Sequence, residues 1–294
     1  MNFKIEEEVQ ISVIIPVYND LPGLNKTVNS ILRQSFKHFE IIVINDGGDP
    51  SIEKFCSMSS IRFINIVPNK GSYNARNEGV KVARTQYIAF TDADLEVDKD
   101  WLKKGCEDLI SYDYVAGNVT VDEKQIVDVA TFHDYLTAFP IQKYFDNSHF
   151  GVTANLFVNK KLFDKVGMFD AELRSGGDME FGNRVYINGG SQYFAKDAVV
   201  IHPLRGHDEK LKKSRRIREG FSQLVEKYPE RLGFLKRKIR RNSFKQLLID
   251  VLPPKIGSVR RIYKDGYAYS FWDLYKYIYF LKLRQSFVFF KRRK

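Results

Sequence analysis

Asp92 and Asp94 stand two residues apart, directly after the apolar run Tyr87-Ile-Ala-Phe-Thr91. In extended backbone, residues i and i+2 project to one face, so the two carboxylates can converge on one ligand. A hard divalent cation, Mg2+ or Mn2+, with diphosphate oxygens as its other ligands, is what such a pair suits. The same tripeptide is also a common solvated turn, so its meaning depends on the elements that carry it. Two further groups, Pro16-Val-Tyr-Asn19 and Asn45-Asp46-Gly47, also end apolar runs.

Those runs are short, β-branched and continuous, the pattern of buried strands: Ile11–Val17, Phe39–Ile44, Ile61–Val67 and Tyr87–Thr91. Between them, Leu24, Val28, Ile31 and Leu32 give helical spacing over residues 24–34, and residues 75–83 read as a second helix. Alternation of this kind predicts a doubly wound, mostly parallel α/β sheet with ligands at the carboxyl ends of the strands. All three polar groups fall at such ends.

Several classes are excluded or disfavoured. The first strand lacks the Gly-x-Gly-x-x-Gly of dinucleotide folds, and no Gly-x-x-x-x-Gly-Lys-Ser/Thr occurs, so hydride transfer and P-loop phosphoryl transfer lose their main support. At 44% hydrophobic and 14% aromatic, the 294 residues can build a sizeable core. Cys56 and Cys106 lie in no CxxC or His-rich cluster and read as buried thiols in a reduced cell. The acidic start, Glu6-Glu-Glu8, does not resemble a signal peptide, and no long uncharged apolar stretch occurs; a cytoplasmic protein without a spanning helix is expected.

The residues Ile11-Ser-Val-Ile-Ile-Pro-Val-Tyr-Asn19, Ile42-Val-Ile-Asn-Asp-Gly47, Asn69-Lys-Gly-Ser-Tyr-Asn-Ala-Arg-Asn-Glu-Gly79 and Tyr87-Ile-Ala-Phe-Thr-Asp-Ala-Asp94 together resemble the family 2 glycosyltransferases of the GT-A fold. The likeness continues through Thr153–Phe157, Phe163–Phe169 and Ser175-Gly-Gly-Asp-Met-Glu-Phe-Gly-Asn-Arg184, and ends near Val200-Ile-His-Pro203. It implies a catalytic domain over residues 1–204, with a donor half of about 10–95 and an acceptor half of about 96–204. Residues 205–294 remain as a basic, mainly helical extension.

The resemblance implies roles for particular residues. Pro16, Tyr18 and Asp46 would hold the base and ribose of a nucleotide-sugar donor. Gly71 would stand where backbone approaches the ligand, and Arg76 would lie near the diphosphate unless it is a solvated helix arginine. Asp92 and Asp94, flanking Ala93, match the family's Asp-x-Asp, which holds a divalent cation and the donor's ribose or diphosphate. Asp178 would be the general base of inverting transfer, with Glu180 as the alternative; Ser175 and Asp178 are also common helix caps. Many members have Glu-Asp at that point, and here Gly177 replaces the Glu. His202 matches a histidine that some members use as a further metal ligand or as a donor to the leaving phosphate, although a histidine after a strand is often structural.

Outside those motifs, residues 119–151 are rich in aromatics: Phe132, Tyr135, Phe139, Tyr144, Phe145 and Phe150. They could cradle a sugar or lipid acceptor, or form core. The charge of the chain is strongly asymmetric. Residues 205–294 hold 26 Lys and Arg against 8 Asp and Glu, a net +18, whereas residues 1–204 carry −7. Basic clusters at 210–218 and 236–241, with an aromatic stretch at 271–290, suit an anionic membrane surface at the inner face better than nucleic acid, which is not an expected partner. The implied function is transfer of one sugar to a hydroxyl of a glycan or lipid-linked acceptor, as in cell-surface polysaccharide synthesis. A nucleotidyltransferase and a catalytically silent sugar-nucleotide-binding scaffold are the alternatives, and no oligomeric state is specified.

Overall fold

A computed structural model describes residues 11–59, 61–235, 254, 256–263 and 268–291. Ile11–Val17 (β1) is buried almost throughout because it pairs on both edges, in parallel with Phe39–Asp46 (β2) and Tyr87–Thr91 (β4). Arg62–Ile66 (β3) pairs in parallel with β2. The remaining strands are Glu96–Val97 (β5), Tyr114–Val121 (β6), Asn155–Asn159 (β7) and Gln192–His202 (β8), and the sheet order is β3-β2-β1-β4-β7-β6-β8-β5. The chain winds outward from β1 to β3 and then returns to the other side of β1 as β4. A parallel sheet receives its ligand where the winding reverses, here at the carboxyl ends of β1 and β4.

Parallel pairing, expected for most of the sheet, is continuous from β3 to β4 and is interrupted at β7. β7 runs antiparallel to both β4 and β6, and β5 is antiparallel to β8. Apolar runs record burial and not strand direction, so the change could not be read from them. Buried Asn155 of β7 reinforces this half: its Nδ2 donates to the carbonyls of Asn118 and Ala198 at 2.8 Å each, and its Oδ1 accepts from Trp101 Nε1 at 2.8 Å.

Helices Leu21–Leu32 (α1) and Ser72–Val82 (α3) correspond to the two expected. Pro50–Met58 (α2) was not foreseen, although Asp49 caps Ser51 N at 2.9 Å and Pro50 opens the first turn, a recognisable start signal. Trp101–Leu109 (α4), Val129–Thr137 (α5), Ile141–Ser148 (α6), Lys161–Val166 (α7) and Gly177–Ile187 (α8) follow, then His207–Lys227 (α9), Pro229–Leu232 (α10), Ile256–Arg260 (α11) and Phe271–Lys291 (α12). Cys56 and Cys106 are free and buried.

The chain divides into two compact units: residues up to Thr120 with Phe139–His202, and Val121–Ala138 with residues from Pro203 onward. The segment 121–138, which the family resemblance places in the domain over residues 1–204, groups with the C-terminal helices. Its Phe132 is fully buried with Val259 of α11 and Leu274 of α12, as core rather than as an acceptor cradle. Within the same unit Lys210 bridges Asp134 at 3.1 Å and His133 Nδ1 at 2.6 Å. Burial and the Lys210 charge pull the His133 pKa down to about 3. Among the described residues no helix is long and apolar enough to cross a membrane. The basic cluster at 236–241 and residues 292–294 lie outside the described residues.

Candidate active site

At the end of β1, Tyr18 is exposed and its ring covers Gly47, where an added Cβ would lie 2.8 Å from two ring carbons. Asp46 is buried at the end of β2 and points into loop 69–71. Its Oδ1 accepts from Lys70 N at 2.8 Å, and its Oδ2 accepts from Gly71 N and Asn69 Nδ2, both at 2.9 Å. Both oxygens are thus engaged by the protein, so Asp46 anchors the loop from which α3 starts. Gly71 has φ +90°, and nothing lies within 4 Å of where its Cβ would be. Glycine is required there by backbone conformation, and the space beside it is open.

One turn into α3, Arg76 is only 3% exposed, which removes the reading of a solvated helix arginine. Its Nη2 pairs with Asp92 Oδ1, and its Nη1 donates to Ser72 O at 3.3 Å. Asp92 is therefore directed at Arg76, whereas Asp94 Oδ2 lies 4.0 Å from His202 Nε2. His202, at the end of β8, is 3% exposed and packs against the Phe139 ring with centroids 4.7 Å apart. Among the described residues no group of three or more His, Cys, Asp and Glu converges to hold a metal ion. The Asp94–His202 pair is a carboxylate and an imidazole, a donor set that suits Mn2+ when ligand oxygens complete it.

The Asp-x-Asp loop is fixed from below by polar residues of α1 that an apolar periodicity does not single out. Thr27 Oγ1 donates to Leu95 O at 2.7 Å and accepts from Leu95 N at 2.9 Å. Ser30 Oγ accepts from Val97 N at 3.1 Å. Gly23, in the first turn, has its Cα close to the Ala93 carbonyl, which an added Cβ would approach to 2.8 Å. Ala93 is itself buried, so the two carboxylates flank a residue that belongs to the core.

Asp178 sits in the first turn of α8, where its carboxylate accepts from Met179 N at 3.0 Å. Desolvation raises its pKa above the ordinary carboxylate value, while the Met179 amide and Arg76 oppose the rise. Glu180, the alternative base, is fully buried and bound at both oxygens by Arg184, at 2.9 and 2.8 Å. Arg184 also donates to the carbonyls of Gly167 at 3.0 Å and Met168 at 2.7 Å, so this pair ties α8 to the preceding loop. Tyr73, in the first turn of α3, was not foreseen as a site residue. Its hydroxyl accepts from Gly177 N at 2.9 Å.

Tyr18 thus follows β1 and Asp92 and Asp94 follow β4, with Arg76 paired to Asp92 and His202 beside Asp94, and Asp178 lies within electrostatic range of Arg76 and Asp92. The sequence pattern of Glycosyl transferase family 2 matches residues 12–167. The glycosyltransferase AglE of Haloferax volcanii is 30% identical over 223 residues, 73% of this chain and 73% of that protein. Two longer relatives match over only 95 and 94 residues, and the chain covers just 14% and 23% of them. Among solved structures, the mannosyltransferase PcManGT from Pyrobaculum calidifontis, in complex with GDP-Man and Mn2+, has a TM-score of 0.61 at 15% identity, covering 95% of this chain and 87% of that one. S. aureus TarS 1-349 in complex with UDP-GlcNAc has a TM-score of 0.53 at 19% identity, covering 74% and 67%. The fold is that of these GT-A enzymes, with a helical C-terminal extension, and the chain belongs to glycosyltransferase family 2.

Proposed function

We propose that this glycosyltransferase moves one sugar from a nucleoside-diphosphate sugar to a hydroxyl of a glycan or lipid-linked acceptor, with inversion at the anomeric carbon. Asp178 takes the proton from the acceptor hydroxyl as its oxygen attacks that carbon, and the bond to the diphosphate breaks on the opposite side. The observation that carries the reading is the state of the two acidic residues of α8. Glu180 is consumed by Arg184, while Asp178 accepts from the Met179 amide and has a raised proton affinity. A carboxylate with raised proton affinity is better suited than an ordinary one to take a hydroxyl proton.

The donor is held at the ends of β1, β2 and β4. Pro16 and Tyr18 face the nucleotide, and Asp46 acts through the 69–71 loop that it holds. The diphosphate lies by Gly71, the amino end of α3 and Arg76, where backbone N–H groups and a buried cation favour an anion. Asp94 and His202 are the residues that would hold a divalent cation, with Asp92 oriented by Arg76 beside them. Such a cation supplies a Lewis acid that stabilises negative charge on the departing diphosphate.

The C-terminal unit is assigned to an anionic membrane surface. Lys212, Arg215, Arg216 and Arg218 of α9 are exposed, and so are Trp272 and Phe280 of α12. Cations toward headgroups with aromatic rings at the boundary suit reversible attachment.

The test is incubation with Mn2+ or Mg2+ and a panel that includes GDP-mannose and UDP-N-acetylglucosamine, first without acceptor. One donor should raise the melting temperature and slowly release nucleoside diphosphate. Absence of any donor response in the wild-type protein would remove the catalytic reading.

A further inference from the structure

Gly177 departs from the Glu that many family members carry before the base, and the structure supplies a reason for glycine at that position. An added Cβ would lie 2.7–2.9 Å from three ring carbons of Tyr73, closer than packed carbon atoms come. The place of a side chain on residue 177 is therefore taken by a phenol from α3. That phenol is buried, stacked on Phe169 with centroids 6.0 Å apart, and its hydroxyl accepts from Gly177 N at 2.9 Å. Gly177 and Asp178 open α8, whose N-cap Gly176 supplies no side-chain cap. The first N–H groups of a helix have no partner within it, so a buried end needs an outside acceptor. Tyr73 is that acceptor.

We propose that Tyr73 is the positioning residue for Asp178, acting through the amide of Gly177. The proposal rests on the assignment of Asp178 as base. Tyr73 lies two residues after Gly71, whose amide is held by Asp46, and three before Arg76, which pairs with Asp92. One helical turn of α3 thus carries the loop anchored by Asp46, the cation on the donor side and the acceptor that fixes the start of α8. Asp178 is set relative to the donor through a single rigid segment. The hydroxyl does not need to touch substrate.

Tyr73→Phe keeps the ring, its stacking on Phe169 and its cover over Gly177, and removes only the hydroxyl. With the donor that the wild type turns over, kcat for nucleoside diphosphate release should fall about tenfold, as expected for loss of one buried hydrogen bond at a positioned group. KM for the donor should stay within about twofold, since Arg76 and the 69–71 loop are untouched. The midpoint of the rising limb of the pH profile should also move, because Asp178 is no longer held in the same surroundings. Gly177→Ala should lose activity in the wild-type background and lose little more in Tyr73→Ala, where the methyl group has room. A Tyr73→Phe enzyme with wild-type kcat and pH profile, alongside an inactive Asp178→Asn, overturns the positioning role and leaves the base assignment standing. An active Asp178→Asn overturns both.

Discussion

Arg184 grips both carboxylate oxygens of Glu180, one through Nε at 2.9 Å and one through Nη2 at 2.8 Å. The two residues lie one turn apart on α8, and the pair is buried at its acidic end. A carboxylate held in this way is a structural counter-ion. Asp178, two residues earlier, accepts from the Met179 amide and has a raised proton affinity.

Replacement of these two acids should separate chemistry from folding. Asp178→Asn is expected to lower turnover by about a thousandfold, within the range for loss of a general base, with a native circular dichroism spectrum. Glu180→Ala leaves a buried guanidinium unpaired and should cost about 3 kcal/mol in urea unfolding. If Glu180→Ala folds stably and Asp178→Asn keeps its turnover, the roles are reversed.

Asp178 also predicts a trade between activity and stability. Its pKa is raised in the folded protein, chiefly by loss of hydration, so the folded state binds the proton more tightly than the unfolded chain. The stability linked to that proton is fully present below the unfolded value and is lost as pH rises through the folded one. Asp178→Asn should therefore melt at a higher temperature than wild type at pH 7, and the difference should vanish below about pH 4. Thermal melts at the two pH values decide it.

The metal assignment has its own readout. Mn2+ with the nucleoside diphosphate of the preferred donor should raise the melting temperature of the wild type. Asp94→Ala should abolish the increment due to Mn2+, and His202→Gln should reduce it, because each removes one of two protein donors 4.0 Å apart. An undiminished Mn2+ increment in both variants would place the cation elsewhere.

In the C-terminal unit, His133 is kept neutral by burial and by Lys210, with its pKa pulled down to about 3 from 6.5. A depressed folded value means that the unfolded chain takes the proton first. Stability from this residue is present above about pH 6.5 and is lost as pH falls toward 3. His133→Gln should flatten that slope, measured as the difference between the two proteins in urea midpoints from pH 7 to pH 4.

Membrane attachment should depend on charge. Vesicles of anionic phospholipid should bind the wild type at low salt and release it as salt rises. Reversal of Lys212, Arg215 and Arg216 to Glu should weaken co-sedimentation by more than about a hundredfold, at about 1 kcal/mol for each cation near the surface. Equal binding to neutral vesicles would refute the assignment.

The family and the first four strands are legible in the amino-acid sequence, and the polar motifs at their ends stand out as candidates. Continuous β-branched runs such as Ile11–Val17 cannot be soluble unless both faces are covered, and the polar residues that end them must face a ligand or solvent. Thus Asp92 and Asp94 stand out as candidates by their place after a buried run, whereas Asp178 and His202 are named only through the family resemblance. Direction and partnership were decided by the tertiary structure. Antiparallel entry of β7, the grouping of 121–138 with the C-terminal helices and the capture of Glu180 by Arg184 leave no mark on periodicity. Neither does the contact between Tyr73 and Gly177, which spans 104 positions of the chain. Periodicity records which face of an element is buried, whereas a hydroxyl meets its amide only where two packed elements bring them within about 3 Å.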